Sequence, residues 1–212
     1  MSKETRELGR DGFFDDGVSH YAATAADMES FKDAETELAR FQAPRLSSGP
    51  NSRLFVAAFD GTGNDAVADP LHGTNVGEIY RQLKDRVDAG DSSVVAGYVE
   101  GPGTQKNIVV RTLDAATGST FEPRLEEMYE QFTKQAARWR AENPNVEINI
   151  ANIGFSRGAE QAAAFSRMVH ERGIQDPAGR TERRDENGRL VIEYTKPALV
   201  PPGQVAQAVA LF

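Results

Sequence analysis

The sequence predicts an α/β fold, with a doubly wound, mostly parallel sheet and helices on both faces. Short apolar runs that are typical of buried strands alternate three times with amphipathic helical patterns. Each of these runs ends in a glycine-rich turn. Because the carboxyl ends of parallel strands meet at one edge of a sheet, the turns should gather there, where such folds bind ligands.

The composition is that of an acidic globular protein. The 212 residues carry a formal net charge of -8, and none of them is cysteine. The acidic balance disfavours a nucleic-acid partner, and the lack of cysteine excludes disulfides. No histidine pair or carboxylate cluster has ligand spacing, so the sequence predicts neither a metal nor a cofactor. No apolar run is long enough for a transmembrane segment or a signal peptide.

Residues 1–50 are predicted to form an N-terminal helical arm and linker, and residues 51–212 the main domain. Apolar residues at steps of three and four predict a helix in the arm, capped by Ser19 and running to about Gln42. This helix is expected to dock on the main domain, and a partner-binding helix is the alternative. A Ser/Gly/Pro linker follows, up to Pro50.

The first half of the main domain shows two strand–turn units. The apolar run 54–59 predicts a strand buried on both faces, which ends in a tight turn at 60–64. A helix from Thr74 to about Ala89 follows, and glycine ends it. The second strand, 93–99, ends in the turn 100–104.

The second half repeats the pattern. A long helix runs from about Glu122 to the Asn-Pro pair at 143–144, and the third strand covers 146–153. An alanine-rich helix occupies 159–172, and the last strand occupies 205–212. Residues 174–203 are expected to be an insertion or cap near the site. They contain the hairpin signal Asn187-Gly188 and a short strand at 190–194.

The turn Gly154-Phe155-Ser156-Arg157-Gly158 matches G-x-S-x-G. It follows a strand and opens a helix, which is the setting of the nucleophile elbow in α/β-hydrolases. Gly154 and Gly158 leave room for a sharp turn that exposes the serine hydroxyl. The Arg157 N–H lies at a helix N-terminus, which favours an oxyanion. We therefore predict Ser156 as a nucleophile and Arg157 as an oxyanion-hole donor, with a plain serine-capped helix start as the alternative.

A second oxyanion donor should come from the turn after an earlier strand. The turn Asp60-Gly61-Thr62-Gly63-Asn64 is well placed, and its candidate donor is Gly61 or Thr62. Asp60 is expected to hold this turn by accepting its N–H bonds. The alternative is an ordinary Asx turn.

Four motifs together resemble a known family. They are F-D-G-T-G-N at 59–64, T-N-V at 74–76, G-P-G-T at 101–104 and G-F-S-R-G-A at 154–159. Over residues 53–212 the chain resembles the α/β-hydrolase catalytic domain of type VI secretion phospholipase effectors (Tle-type), formerly a domain of unknown function. The resemblance implies Ser156 as the nucleophile, the Asp60 turn at the oxyanion hole and Gly103 among the residues that shape the site.

The resemblance also implies a biological role. Such a protein would be an antibacterial toxin, made in the cytoplasm and delivered to target cells by a type VI secretion system. Its substrates would be membrane phospholipid esters. Its partners would be the secretion apparatus or an immunity protein.

The chain departs from this family in its histidines. A serine hydrolase needs a histidine base oriented by a carboxylate, and in this fold both follow the serine. Only His170 does, and fourteen residues along one helix place it roughly 21 Å from Ser156. His20 and His72 precede the serine, and His72, which follows the Asp60 turn, is the less favoured alternative for the base. The family places an aspartate just after a strand like 207–212, so we expect the acid and the base to lie beyond Phe212. A truncated chain of this kind should be inactive or nearly so.

Other functions fit less well. Phosphatases of the haloacid dehalogenase type begin with D-x-D-G-T, but Ala58 occupies the nucleophile position two residues before Asp60. No nucleotide-binding glycine pattern follows a strand. The remaining alternative is a catalytically dead α/β-hydrolase-like binding module. The coding sequence downstream of Phe212 would discriminate between this module and the hydrolase.

Overall fold

The computed structural model describes residues 22–40, 46, 49–67, 73–101, 121–186 and 190–212. Two compact units divide the chain between Ala43 and Pro44. The helices are α1 (Ala25–Arg40), α2 (Asn75–Asp88), α3 (Phe121–Glu142) and α4 (Arg157–Arg172). The strands are β1 (Ser52–Phe59), β2 (Val94–Val99), β3 (Glu147–Gly154), β4 (Arg180–Arg184), β5 (Leu190–Tyr194) and β6 (Ala206–Leu211). No helix in these described ranges is long and apolar enough to cross a membrane.

Helix α1 is the described helix of the first unit. The Thr24 N–H donates to Asp27 Oδ2 at 2.8 Å, and the Asp27 N–H donates to Thr24 Oγ1 at 3.2 Å. This reciprocal capping satisfies two N–H groups that have no partner within the helix. The helix therefore begins later than predicted, after Thr24. The predicted cap, Ser19, lies outside the described residues.

Four strands form the central sheet, in the order β2-β1-β3-β6. All three pairings are parallel, and Phe59 at the end of β1 aligns with Val99 on one side and Gly154 on the other. The carboxyl ends of these strands therefore meet at one edge. The predicted parallel α/β fold is confirmed.

Alternate residues of β1 enter two hydrophobic cores on opposite faces of the sheet. Phe55 and Phe59 pack against Phe132 of α3 and Phe165 of α4, with ring centroids 5.1 and 5.4 Å apart. Val56 and Ala58 pack on the other face, against α2. Both faces of β1 are apolar because helices cover both faces of the sheet.

The bounds of the predicted helices and strands in the main unit are close to those observed, with two differences. Helix α4 begins directly after Ser156 rather than at Ala159. The sequence analysis also missed β4, whose five residues include four charged ones. This strand pairs with β5 on an exposed hairpin, where Arg183 Nη2 lies 2.9 Å from Glu193 Oε1. Cross-strand ion pairs take the place of the apolar alternation that marks a half-buried strand.

The hairpin within residues 174–203 packs on α3 and on the end of α4. Arg180 forms an ion pair with Glu130 at 3.4 Å, and the Tyr194 and Tyr129 rings lie 6.1 Å apart edge to face. The Tyr129 hydroxyl donates to the Gly173 carbonyl, just past α4. These contacts lie at the end of α4 opposite Ser156. The turn residues Asn187 and Gly188 lie outside the described residues.

Candidate active site

Ser156 occupies the turn between β3 and α4, at the carboxyl edge of the sheet. Its backbone has φ 55° and ψ -123°. Among the described residues other than glycine, Ser156 alone has a positive φ. Its exposed side chain makes no capping hydrogen bond to α4 within the described structure. Its N–H donates to the Phe212 carbonyl at 2.9 Å. A strained backbone therefore holds the hydroxyl out at the edge instead of capping the helix.

The glycines on either side of Ser156 lie in close contact with neighbouring backbone. A Cβ atom on Gly154 would lie 2.3 Å from the Gly158 carbonyl oxygen, and one on Gly158 would lie 2.3 Å from the Phe59 carbonyl oxygen. Real Cβ atoms essentially never approach closer than 3.0 Å. The start of α4 is thus pressed against the ends of both β3 and β1.

The turns that follow β1, β2 and β3 gather at this edge. The Gly101 N–H donates to the Asn64 carbonyl at 2.9 Å, and the Phe155 N–H donates to the Phe59 carbonyl at 3.2 Å. A Cβ atom on Gly101 would lie 1.5 Å from the Gly61 carbonyl oxygen. Gly103, the other glycine of the second turn, lies outside the described residues.

Asp60 is fully buried behind the first turn. Its Oδ1 accepts from the Gly61 N–H and the Thr74 hydroxyl, both at 2.7 Å, and its Oδ2 accepts from the Tyr98 hydroxyl at 2.7 Å. The Tyr98 hydroxyl in turn accepts from the Ala66 N–H at 2.8 Å. These bonds offset the cost of burying a carboxylate, and they tie the turn to the start of α2 and to β2.

Tyr98 is a part of this site that the sequence analysis missed. Burial raises the pKa of its hydroxyl, and donation to Asp60 raises that pKa further. The hydroxyl therefore remains a donor at neutral pH. Its ring stacks on Tyr80 at 4.9 Å. Tyr98 lies 38 residues from Asp60 in sequence, so no local pattern announces the contact.

The two candidate donors of the first turn have different surroundings. The Gly61 N–H is bonded to the Asp60 carboxylate. The Gly61 carbonyl accepts from the Asn64 N–H at 3.0 Å and faces Gly101, at the end of β2. In a trans peptide the next N–H points the opposite way. The Thr62 N–H therefore points away from Gly101.

The structure also brings Thr62 and Arg157 together. Thr62 is exposed, and its Oγ1 accepts a hydrogen bond from Arg157 Nε at 2.5 Å. Arg157 is the first residue of α4. The turn after β1 and the turn after β3 are therefore linked by side chains as well as by backbone.

His170 lies at the wrong end of α4 to serve Ser156. It is exposed in the last turn of the helix, and its carbonyl accepts from the Gly203 N–H at 2.8 Å. His20 and His72 lie outside the described residues. Within the described ranges, no group of three or more His, Cys, Asp or Glu side chains is arranged to hold a metal ion.

A groove elsewhere on the molecule has no link to these residues. It lies between the start of α3, the second half of α4 and the hairpin, and Leu125, Met168 and Leu190 are among its lining residues. None of the predicted site residues lines it. The predicted site residues that the structure describes therefore lie at the sheet edge and not in this groove.

Comparison with protein families gives one match. A family model described as the catalytic domain of Tle1-like phospholipase effectors of type VI secretion (T6SS) matches residues 53–196, which is more than half of the chain. No curated protein and no solved structure matches the chain. The matched range runs from β1 past the hairpin, and it includes both the Asp60 turn and Ser156.

Proposed function

The chain belongs to the family of Tle1-like phospholipase effector catalytic domains of type VI secretion, and we propose from this premise that it is a serine phospholipase whose nucleophile is Ser156. One observation carries the proposal. The Ser156 hydroxyl is exposed at a positive-φ turn between a central strand and a helix, beside the turn that follows the neighbouring strand. A buried or helix-capping serine would not be available to a substrate.

The reaction proposed is acyl transfer through the serine. Ser156 Oγ attacks the carbonyl carbon of a phospholipid ester, and the bond to the glycerol oxygen breaks. The serine proton passes through a base to this leaving oxygen, and the acyl group remains on Ser156 until water releases it as a fatty acid. The negative charge that develops on the carbonyl oxygen is received by the N–H groups of Arg157 and Thr62.

Thr62 is the proposed second donor because the Gly61 N–H is already bonded to Asp60. The Gly61 carbonyl faces Gly101, so the Thr62 N–H points away from Gly101. Arg157 is the first residue of α4, where the helix dipole is positive. We assign Asp60 the role of holding the turn after β1. Gly154 and Gly158 allow α4 to approach the sheet closely.

No described residue supplies the base. His170 lies at the far end of α4, and the other two histidines are outside the described ranges. Among the described residues no base lies within reach of Ser156, and without one the loss of the serine proton limits the rate. We therefore propose that this chain alone turns over phospholipids very slowly, while Ser156 still reacts with activated esters.

The test is a burst experiment with p-nitrophenyl butyrate, whose good leaving group needs no acid catalyst. We expect slow release of about one equivalent of p-nitrophenolate per chain, followed by still slower turnover, as for an accumulating acyl-enzyme. Ser156→Ala should abolish the burst. Ser166→Ala is the matched control, because Ser166 lies in the same helix and its hydroxyl bonds to Gln207 instead. A burst that survives in Ser156→Ala would refute the proposal.

A catalytically dead lipid-binding module is the second candidate, and the remote position of His170 favours it. It predicts no Ser156-dependent acylation at any pH. Vesicles of phosphatidylethanolamine and phosphatidylglycerol would nevertheless bind the chain and its Ser156→Ala variant equally. Vesicle sedimentation combined with the burst experiment separates the two candidates.

The delivery route and the partners proposed for this chain rest on family membership alone. We propose translocation into a target cell by a type VI secretion apparatus, and an immunity protein that protects the producing cell. The amount of the chain recovered from target cells, with and without an active secretion apparatus in the producing cells, measures the delivery. Equal recovery in the two cases would contradict it.

A further inference from the structure

A side-chain hydrogen bond joins the two residues whose amides are proposed to receive the oxyanion. Arg157 Nε donates to Thr62 Oγ1 at 2.5 Å. One of these residues opens α4, and the other lies in the turn after β1. The bond therefore joins the two segments that carry the proposed oxyanion donors.

The inner side of the first turn is already fixed. Asp60 holds the Gly61 N–H, and the Asn64 N–H holds the Gly61 carbonyl. The outer side of the turn is exposed at Thr62, next to Gly63 with φ 75°. There Asn64 Nδ2 donates to the Thr62 carbonyl at 3.3 Å, which is a long hydrogen bond. The contact with Arg157 is the shorter of these two contacts on the outer side.

The chemistry of the contact suits a positioning role. A hydrogen bond from a charged donor is shorter and stronger than one between neutral groups. The Nε–H of arginine lies in the rigid plane of the guanidinium group, so the orientation of that plane fixes the direction of the hydrogen bond. Because Arg157 carries this group on the same residue as one oxyanion donor, fixing Thr62 also fixes the spacing of the two donors.

We propose that Arg157 is a positioning residue that sets the spacing between its own amide and the amide of Thr62 through this hydrogen bond. The inference rests on the proposed function, because it concerns the oxyanion hole of that reaction. It assigns the Arg157 side chain a role separate from that of its backbone N–H.

Phenylboronic acid is the probe, because its binding to a serine is measured at equilibrium and does not require a fast base. Ser156 Oγ bonds to boron, the hydroxyl proton goes to solvent, and boron becomes a tetrahedral anion that keeps both of its hydroxyl oxygens. The boron-11 NMR signal distinguishes tetrahedral from trigonal boron. Ser156→Ala defines the background.

Arg157→Gln and Thr62→Val each remove one partner of the bond while leaving both backbone amides in place. We expect each to raise the dissociation constant of the boronate about tenfold, less than the loss of about a hundredfold expected on removing a whole oxyanion donor. In the double variant the dissociation constant should also rise only about tenfold relative to the parent, because the two changes break the same interaction. Thr62→Ser keeps the acceptor hydroxyl and should bind almost as the parent does.

The matched control is Arg167→Gln. Arg167 lies in the same helix, is exposed, and bonds through its Nε to Glu171 at 2.7 Å. This variant removes one positive charge from α4 without touching Thr62, so its boronate affinity should equal that of the parent. Thermal unfolding of each variant verifies that the fold is retained.

The outcomes separate the two levels of the proposal. Ser156-dependent binding that is weakened in Arg157→Gln and Thr62→Val, and restored in Thr62→Ser, supports the inference. Ser156-dependent binding that is unchanged in Arg157→Gln, or losses that multiply in the double variant, overturns the inference and leaves the proposed function standing. The absence of Ser156-dependent binding in the parent chain overturns both.

Discussion

Asp60 determines the form of the turn after β1, because its two oxygens bind groups from three segments of the chain. The turn itself donates through Gly61, the cap of α2 through Thr74, and β2 through Tyr98. A fully buried carboxylate with these donors has little freedom to move. The position of Thr62, and with it the proposed oxyanion hole, follows from this arrangement.

We predict that Tyr98→Phe destabilises the protein through this arrangement. The change removes the donor to Asp60 Oδ2 and leaves the Ala66 N–H without its acceptor. Loss of a buried hydrogen-bond partner costs about 1–3 kcal/mol of unfolding free energy. Urea denaturation measures this.

Tyr80→Phe is the control for this prediction. Tyr80 stacks on the same ring at 4.9 Å, and its substitution keeps the stack. Its unfolding free energy should stay within about 0.5 kcal/mol of the parent. Equal losses in the two variants would contradict a specific contribution of the Asp60 bond.

Single residues were predicted from the sequence where the chemistry is local. Ser156, Arg157 and the glycines at 154 and 158 form one continuous motif, and a strand–turn–helix pattern surrounds them. Tyr98 was missed because its contact with Asp60 joins positions 38 residues apart. The preference between Gly61 and Thr62 as donor likewise depends on which N–H the carboxylate binds, and only coordinates give that.

The contact between α4 and β1 sets where the elbow stands relative to the first turn. The Phe59 and Asp60 carbonyls lie against Gly158, where a Cβ atom would come within 2.3 and 2.6 Å of them. The neighbouring atoms are backbone, so they cannot rotate away as a side chain would. Helix α4 can approach the sheet this closely only at a glycine.

We predict that Gly158→Ala lowers the unfolding free energy by about 1–3 kcal/mol, as for other overpacked sites. It should also reduce the p-nitrophenolate burst, because α4 and the Arg157 amide move away from β1. Gly49→Ala is the control, since a Cβ atom there meets nothing within 4 Å. Full stability and a full burst in Gly158→Ala would contradict the close packing of α4 on β1.

The elements that hydrophobic pattern determines were predicted well. β1 and β3 are apolar on both faces because the sheet is covered on both sides, and these strands position the site. The pattern failed for β4, which is exposed and mostly charged. Its pairing with β5 depends on the partner strand, which local sequence does not reveal.

At the scale of the whole molecule, the proposed site lies within the part of the chain that the family model matches. The family match covers residues 53–196, and the turns at the carboxyl edge of the sheet fall inside it. The proposed nucleophile and oxyanion donors lie within the described residues, whereas no candidate base within reach of Ser156 is among them. The order of residues in the sequence predicted this separation, because His170 follows Ser156 on one continuous helix.

The central claim is that Ser156 presents its hydroxyl at the sheet edge, beside the amides of Arg157 and Thr62. A crystal structure of the chain with phenylboronic acid bound tests it most directly. The account predicts boron bonded to Ser156 Oγ, with one boron-bound oxygen about 2.7–3.1 Å from both backbone nitrogens. A Ser156 hydroxyl packed inside the sheet, or a boron-bound oxygen that faces solvent away from Thr62, would contradict it.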